Sequence, residues 1–399
     1  MEYISENLYT KVSDKCSVAV VGGGIAGIAA ALAAARSGAD VMLLEREFIL
    51  GGLATAGLVT IYLPLCDGMG NQVSFGIAEE LFRLSIKYAC EDRYPKAWLE
   101  GGTKEERAKE RFEVQYNPHL FAICAERLLL ENGVRILYGT SVCAVSKENN
   151  KISALIIENK SGRSAISVNS VVDCTGDADI VKLSGEKSAV FAQKNVLASW
   201  YYYNCAEKYG LEMLGFCDVP DEEKNENNKV ELLTNRRFSG LEALELSEMV
   251  QMTHSSMLGH ILGRRKDNSS YLPVTIPSIP QIRMTRRIDG SNTMTLSGDG
   301  KPVSDSVGII SNWKVRGPVY EVPFSALHGS TVKNLIIAGR CISADDAMWD
   351  VTRVIPACAV TGQAAGTAAA QCCDFQNIDV ANLQKSLEAC GVVIHISEL

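Results

Sequence analysis

Gly22, Gly24 and Gly27 carry the spacing G-x-G-x-x-G, between the apolar run Ser17 to Val21 and the alanine-rich stretch from Ile25 to Ser37. That spacing has a phosphate chemistry. The first glycine permits a tight turn, the second lets the backbone approach a pyrophosphate, and the third lets helix and strand pack closely. Ile25 and Ala26 open the helix, and its unpaired N–H groups and positive dipole end would receive the phosphates. Ala29, Ala30, Ala33 and Ala34 keep that helix close to the sheet. Glu45, followed by Arg46, ends the next apolar run. A carboxylate there accepts the hydroxyls of an adenosine ribose and repels a 2′-phosphate. The pattern points to an ADP-linked dinucleotide other than NADP, and leaves FAD and NAD open because both carry that half.

Outside this motif the polar candidates are fewer. Arg283, Arg286 and Arg287 cluster in PQIRMTRRIDG. On an extended strand Arg283 and Arg287 share a face and could clamp a substrate carboxylate or phosphate; surface ion pairing explains them equally well. Tyr320 reads as a proton donor or, more simply, as a core aromatic. Cys66 and Cys341 could approach a ligand, although buried cysteines usually only pack. His328 reads as a structural histidine. The five histidines and thirteen cysteines show no metal-ligand spacing and no C-x-x-C. We therefore expect no metal site, and reduced thiols in a cytoplasmic protein.

These residues need a scaffold. Ser17 to Val21, the helix Ile25 to Ser37 and Val41 to Leu44 read as a βαβ unit with parallel strands. Helical patterns follow at Ile77 to Tyr88 and Pro118 to Asn132, and a strand at Val134 to Tyr138. Val142 to Val145, Ile152 to Glu158 and Ser164 to Val168 read as a meander, and Val171 to Cys174 as a further buried strand. The grammar changes near Gly185. Aromatics cluster at Trp200 to Tyr203, DEEKNENNK (221–229) reads as a solvated loop, and a helix is expected over Leu241 to Leu262. A strand at Leu335 to Ala338 and a small-residue helix from Pro356 to Cys372 close the chain. The expected fold class is α/β. Residues 1–184 and 331–399 would form one nucleotide-binding domain, with a second, α+β domain inserted at 185–330.

The 399 residues suffice for two domains, and 47% hydrophobic with 22% charged residues is ordinary for a globular chain. A net charge of −8 argues against a nucleic-acid partner. The first fifteen residues lack an apolar core, and the run Ile25 to Ala35 is too short to span a bilayer, so neither a secretory leader nor a membrane anchor is expected.

Further blocks carry a resemblance. ERExxLGGLATAG (residues 45–57), VVDCTGDADI (171–180), PQIRMTRRIDG (280–290), VYEVP (319–323) and NLIIAGRCISADDAMWDVTRVIPACAVTGQAAGTAAA (334–370) occur in this order. Together they resemble the FAD-dependent oxidoreductases of the glutathione-reductase-like superfamily, in a branch with a single dinucleotide-binding domain. The resemblance implies a Rossmann-type FAD domain with a β-meander and an inserted substrate domain. It implies that Gly51, Gly52, Ala54 and Thr55 lie against the flavin and ribityl chain. Val142 would meet adenine, Thr175 and Gly176 would close over the ADP half, and Gly339 and Arg340 would flank the pyrophosphate. The helix entered through Val354 and Pro356 would point its N-terminus at the flavin, with Gln363 near it. Asp345, Asp346 and Trp349 depart from the family pattern, so no acid or base is carried over there. The resemblance further implies hydride transfer at flavin N5 to or from a small-molecule substrate. A single fingerprint implies a diffusible electron donor or acceptor. The rival readings are a flavoprotein with structural or electron-relay FAD, and an NAD-dependent dehydrogenase.

Overall fold

The computed structural model describes residues 4–88, 94–206, 208–215 and 232–399. The charged stretch 221–229 lies outside the described residues. Among them, seven strands make the main sheet: β1 (Val12–Val21), β2 (Val41–Leu44), β5 (Arg135–Leu137), β6 (Ser141–Glu148), β7 (Lys151–Asn159), β8 (Gly162–Asp173) and β16 (Leu335–Ile337). Its order is β5-β2-β1-β8-β7-β6. β1, β2, β5 and β8 run parallel, and β6, β7 and β8 form an antiparallel meander.

β8 is one strand of twelve residues, where the sequence suggests two. Asn169 and Ser170 look like strand breakers, but both find partners: Ser170 Oγ donates to the Cys372 carbonyl, and the Asn169 carbonyl accepts from Asn334 Nδ2. The strand then serves two neighbours in turn. Its first half pairs β7, and its second half pairs β16 parallel, with Ile337 opposite Asp173. Val21, Leu44, Asp173 and Ile337 thus align along one carboxyl edge of the parallel strands, where doubly wound sheets bind ligands.

One face of this sheet carries α1 (Ile25–Arg36) and α9 (Ile355–Gln371). Residues 25–34 of α1 and 355–369 of α9 are all buried, so each helix is enclosed on every side. Small residues let the two backbones nearly touch. A Cβ on Gly362 would stand 2.4 Å from the Ala26 carbonyl oxygen, and one on Gly366 would stand 2.1 Å from that of Ala30. Both pairs are four apart on their helix, the row along which helices interdigitate. α2 (Ile77–Ile86), α5 (Pro118–Glu131) and α10 (Val380–Ala389) pack around this pair.

A second layer comes from the middle of the chain. β10 (Ser199–Cys205), β11 (Lys208–Leu214) and β12 (Leu272–Thr275) form an antiparallel sheet, ordered β11-β10-β12. α7 (Ala243–Asp267) buries Met249, Thr253, Met257 and Ile261, a four-residue repeat; Met257 and Ile261 pack with Tyr201 and Tyr203 of this sheet, and Met249 with Leu197, Phe238 and Ile282. Tyr202 and Gln281 tie this layer to the main body. The Tyr202 and Thr60 hydroxyls are 2.6 Å apart, and Gln281 Nε2 donates to the Gly57 carbonyl. The remaining pairs are β3 (Ile61–Tyr62) with β4 (Val114–Gln115), β9 (Ser188–Val190) with β13 (Arg286–Ile288), and β14 (Ser306–Ser311) with β15 (Val319–Pro323). The β14–β15 hairpin packs on α9 and α10 rather than on α7. Short helices α3 (Lys96–Leu99), α4 (Lys104–Arg107), α6 (Asp179–Ser184) and α8 (Asp346–Thr352) complete the description. Among the described residues no helix is long and apolar enough to cross a membrane.

The helix crossing makes a stability prediction. Gly366→Ala forces a methyl into the Ala30 carbonyl and should cost about 1–3 kcal/mol as overpacking. Gly259→Ala in α7, where a Cβ meets nothing within 4 Å, should instead gain about 0.5–1 kcal/mol. Urea titration of both variants measures the contrast; equal effects would show that the crossing is looser than described.

Candidate functional site

A cavity of about 440 Å³ opens at the carboxyl edge of the parallel strands. The turn after β1 forms its floor. Gly22 has φ +95°, and a Cβ there would lie 2.5 Å from the Cys174 carbonyl oxygen, so only glycine fits. Gly27 faces inward and a Cβ would strike the Gly22 carbonyl at 1.8 Å; it packs the turn and is not part of the cavity wall. Gly24 differs from both. Its φ of −67° suits any residue, and a Cβ would meet no atom within 4 Å. The protein's own packing leaves this side of Gly24 open, toward the cavity that Gly22, Gly24, Ile25 and Ala26 line.

Glu45 follows β2 and is 6% exposed. Its Oε2 accepts the Gly23 N–H at 2.6 Å and its Oε1 accepts the Glu47 N–H at 2.8 Å. Burial pushes its carboxyl up, and these two N–H groups pull it back. Each oxygen retains a lone pair for a further donor, and Glu45 and Arg46 both line the cavity. Beside them the Gly51 N–H donates to the Gly23 carbonyl at 2.8 Å, which seats the 51–55 loop on the glycine turn. Gly51, Gly52 and Ala54 line the cavity. Thr55 does not: its hydroxyl turns inward and donates to the Leu50 carbonyl at 2.5 Å.

The end of β8 supplies the opposite wall. Asp173, fully buried, accepts the Thr175 N–H and hydroxyl on one oxygen and the Ile180 and Val181 N–H groups on the other. One carboxylate thus shapes the turn that presents Thr175, Gly176 and Asp177 to the cavity. Arg340 lies across this turn. It donates to the carbonyls of Ile282 and Arg283 at 3.0 and 2.7 Å, and pairs with Asp177 at 3.3 Å. Gly339 and Val142 also line the cavity.

The far end is built differently. Val59, Ile61 and Leu63 alternate along β3 and its flanks and turn one apolar face inward. Leu246, Ile279, Pro280 and Ile282 of the second layer face the same space, and the head of α9 enters through Arg353, Val354, Ile355 and Cys358. Sequence reading missed this wall and the roles of Asp173 and Asp177. The alternation at 59, 61 and 63 was the available signal.

Several expected site residues lie elsewhere. Pro356 is buried within the first turn of α9 and outside the cavity wall. Gln363 caps α2, its Oε1 accepting the Ile77 N–H at 2.8 Å. Tyr320 pairs opposite Ile310 in the β14–β15 hairpin and is a core residue. Arg283 and Arg287 do not share a strand face, since β13 begins only at Arg286. Arg283 reaches the cavity wall, but its guanidinium stacks 5.2 Å above Trp200 and its terminal nitrogens are buried. Arg287 donates to the Ile288 carbonyl, away from the cavity. His328 Nδ1 lies 3.0 Å from the Gly329 carbonyl. Cys66 and Cys341 are outside the wall, and burial pushes both thiols up. Among the described residues no cluster of His, Cys, Asp or Glu is arranged to hold a metal ion.

The model of the FAD dependent oxidoreductase family matches residues 17–197 and 188–387. No curated protein matches the chain. A myxobacterial chondrochloren halogenase superposes with a TM-score of 0.50 at 14% identity, over 94% of this chain and 78% of its own, a likeness of fold alone. A p-nitrophenol 4-monooxygenase from Pseudomonas putida gives 0.48 at 13% identity, over 94% and 84%. A geranylgeranyl bacteriochlorophyll reductase-like protein from Thermoplasma acidophilum gives 0.44 at 13% identity, over 95% and 82%.

Asp179, on the cavity rim, supplies a pH test. The packing around its carboxyl, then the charges of Asp177 and Asp173, push it up to about 6 against Arg286 and Arg46, although part of the side chain reaches solvent. An acid raised from 3.8 to about 6 on folding costs stability above pH 6, and the cost disappears below about pH 4. Asp179→Asn should therefore raise the melting temperature at pH 8 and leave it nearly unchanged at pH 4. A drop at pH 8 would mean that its ion pairing with Arg286 dominates.

Proposed function

The chain belongs to the FAD-dependent oxidoreductase family, whose members are enzymes that use FAD, and on that premise we propose that it moves a hydride between a small organic substrate and flavin N5. The observation that carries this reading is the open side of Gly24. The residue is a glycine where neither backbone conformation nor neighbouring protein atoms require one. A diphosphate against the α1 N-terminus gives the position its reason.

The isoalloxazine, when bound, supplies the two-electron chemistry. The chain's own residues bind, orient and exclude water. Glu45 is set to accept ribose hydroxyls, because its backbone donors hold the carboxylate while leaving lone pairs free. The N–H groups opening α1 suit the diphosphate. Gly51, Gly52 and Ala54 offer a side-chain-poor surface for the ring system and ribityl chain, and Gly339 and Arg340 line the wall where they would flank the pyrophosphate. The apolar face of Val59, Ile61 and Leu63, with Ile279 and Ile282, supports a substrate position shielded from water. A single dinucleotide fingerprint supports a diffusible electron donor or acceptor. Thirteen scattered cysteines without C-x-x-C spacing support a cytoplasmic setting.

Gly24→Ala tests the reading directly. The methyl meets no protein atom, so the variant should fold with an unchanged circular-dichroism spectrum and melting temperature as apoprotein. It should bind FAD about 5- to 150-fold more weakly, the effect of a 1–3 kcal/mol clash. Gly24→Val should purify colourless. Full flavin content in the valine variant would overturn the assignment. An anaerobic screen of small metabolites for flavin bleaching then identifies the substrate; a flavin reduced by none of them, and by no reduced nicotinamide, would favour a structural cofactor.

A further inference from the structure

One buried charge cluster at the cavity has no part in the binding scheme above. Arg353 stands at the corner between α8 and α9, and Asp350 precedes it by one turn in α8. Asp350 is 1% exposed. One of its oxygens accepts two nitrogens of Arg353, Nε at 2.8 Å and a terminal nitrogen, and the other oxygen pairs with Lys314. Its backbone carbonyl accepts the Trp313 indole N–H at 3.0 Å. The Trp313 ring lies under both cations, with Lys314 Nζ 5.3 Å and the Arg353 guanidinium carbon 6.0 Å from its centre. Asp350 therefore joins the 311–318 turn of the β14–β15 hairpin to the helix corner.

Resting on the FAD reading, we propose that Asp350 is a positioning residue that holds the Arg353 guanidinium at the redox end of the cavity and thereby raises the reduction potential of the bound flavin. Three observations carry this. Arg353 forms part of the cavity wall and Asp350 does not, so the charge nearest the ligand is positive and its counter-charge stands behind it. The four cationic side chains of the wall also divide by place. Arg46 follows the ribose acid and pairs with Glu47; Arg340 is committed to Asp177 and two carbonyls; Arg283 is stacked on Trp200. Arg353 is the one at the head of α9. Finally, α9 begins beside it with no side-chain cap and no acidic residue in its first turn, so its positive dipole end adds to the same field.

The physical consequence follows from charge balance. Hydride transfer delivers two electrons and one proton to N5 and leaves one negative charge on the ring system. A cation held in a dry wall stabilises that charge more strongly than water does, because the dielectric is low and the group is already oriented. Unfixed, a long guanidinium would spread over many rotamers and toward solvent. Two N–H groups of Arg353 held on one oxygen of a fully buried carboxylate remove that freedom.

Midpoint potentials of the purified holoenzyme and its variants, read by spectroelectrochemical titration against a reference dye, test this. Arg353→Gln should shift the flavin to a more negative potential. Asp350→Asn separates positioning from simple charge. Losing a nearby negative charge by itself makes a flavin easier to reduce, so a background charge predicts a positive shift. A positioning residue predicts a negative one, smaller than that of Arg353→Gln. A positive or absent shift in Asp350→Asn, or a falling melting temperature with no change in potential, overturns the proposal. Should Asp350→Asn fail to fold, Arg353→Lys decides: it keeps the charge without the fork, and an intermediate negative shift is expected, whereas an unmoved potential overturns the proposal. A wild-type protein that binds no FAD would sink the functional reading and this inference together. FAD bound with potentials unmoved would sink the inference alone.

Discussion

Backbone must lie against backbone at the carboxyl edge of the sheet, and the rest of the molecule answers to that constraint. Gly22 sits on the Cys174 carbonyl, Gly27 on Gly22, Gly362 on Ala26 and Gly366 on Ala30. In each case a single methyl would collide with a main-chain oxygen. The contacts stack the β1 turn, the end of β8, α1 and α9 into one rigid corner. Because α9 comes from the far end of the chain, neither terminal portion completes the corner alone. The cavity is the space that remains when these four pieces meet, and its floor is main chain because side chains were excluded from it.

Buried carboxylates do the complementary work of shaping loops. Asp173 takes four donors and Glu45 takes two backbone N–H groups. Isolated, either would be costly to desolvate; supplied with fixed donors, each becomes a template around which a turn closes. Both stand at the ends of parallel strands that flank β1, so one structural device builds two walls of one cavity. Asp350 repeats the device with cations in place of amides.

Much of this was legible in the sequence, for reasons that can be named. The βαβ unit was read to within a residue at α1 and β2, because Gly22 and Gly38 punctuate it and the runs between are uniformly apolar. β1 extends five residues earlier than its apolar pattern, since Val12 to Cys16 pair with β8 while staying largely exposed. Polarity alone hides such a strand. The join within β8 was missed for a related reason: Asn169 and Ser170 are satisfied by residues 334 and 372, far along the chain. Arg283 was misplaced because Asn195 and Arg340 hold its backbone where sheet pairing would otherwise be needed. Local sequence encodes propensity and period; it does not encode which distant side chain will occupy a backbone donor.

The side chains that reach the cavity also bear on what kind of catalyst this is. Two thiols stand in its wall, Cys174 and Cys358, and burial pushes the first well up and the second to about 12. Both stay protonated at neutral pH and are poor nucleophiles. Tyr320, the one side chain weighed as a proton donor, is absorbed by the core, and His328 turns Nδ1 to a carbonyl as a structural histidine does. The wall therefore offers shape, dipoles and fixed charge but little chemistry of its own. That division suits a protein whose reactive atoms belong to its cofactor. The apolar face of β3 and the 279–282 segment supplies the shape of one end, and the surrounding dipoles and cations supply the field.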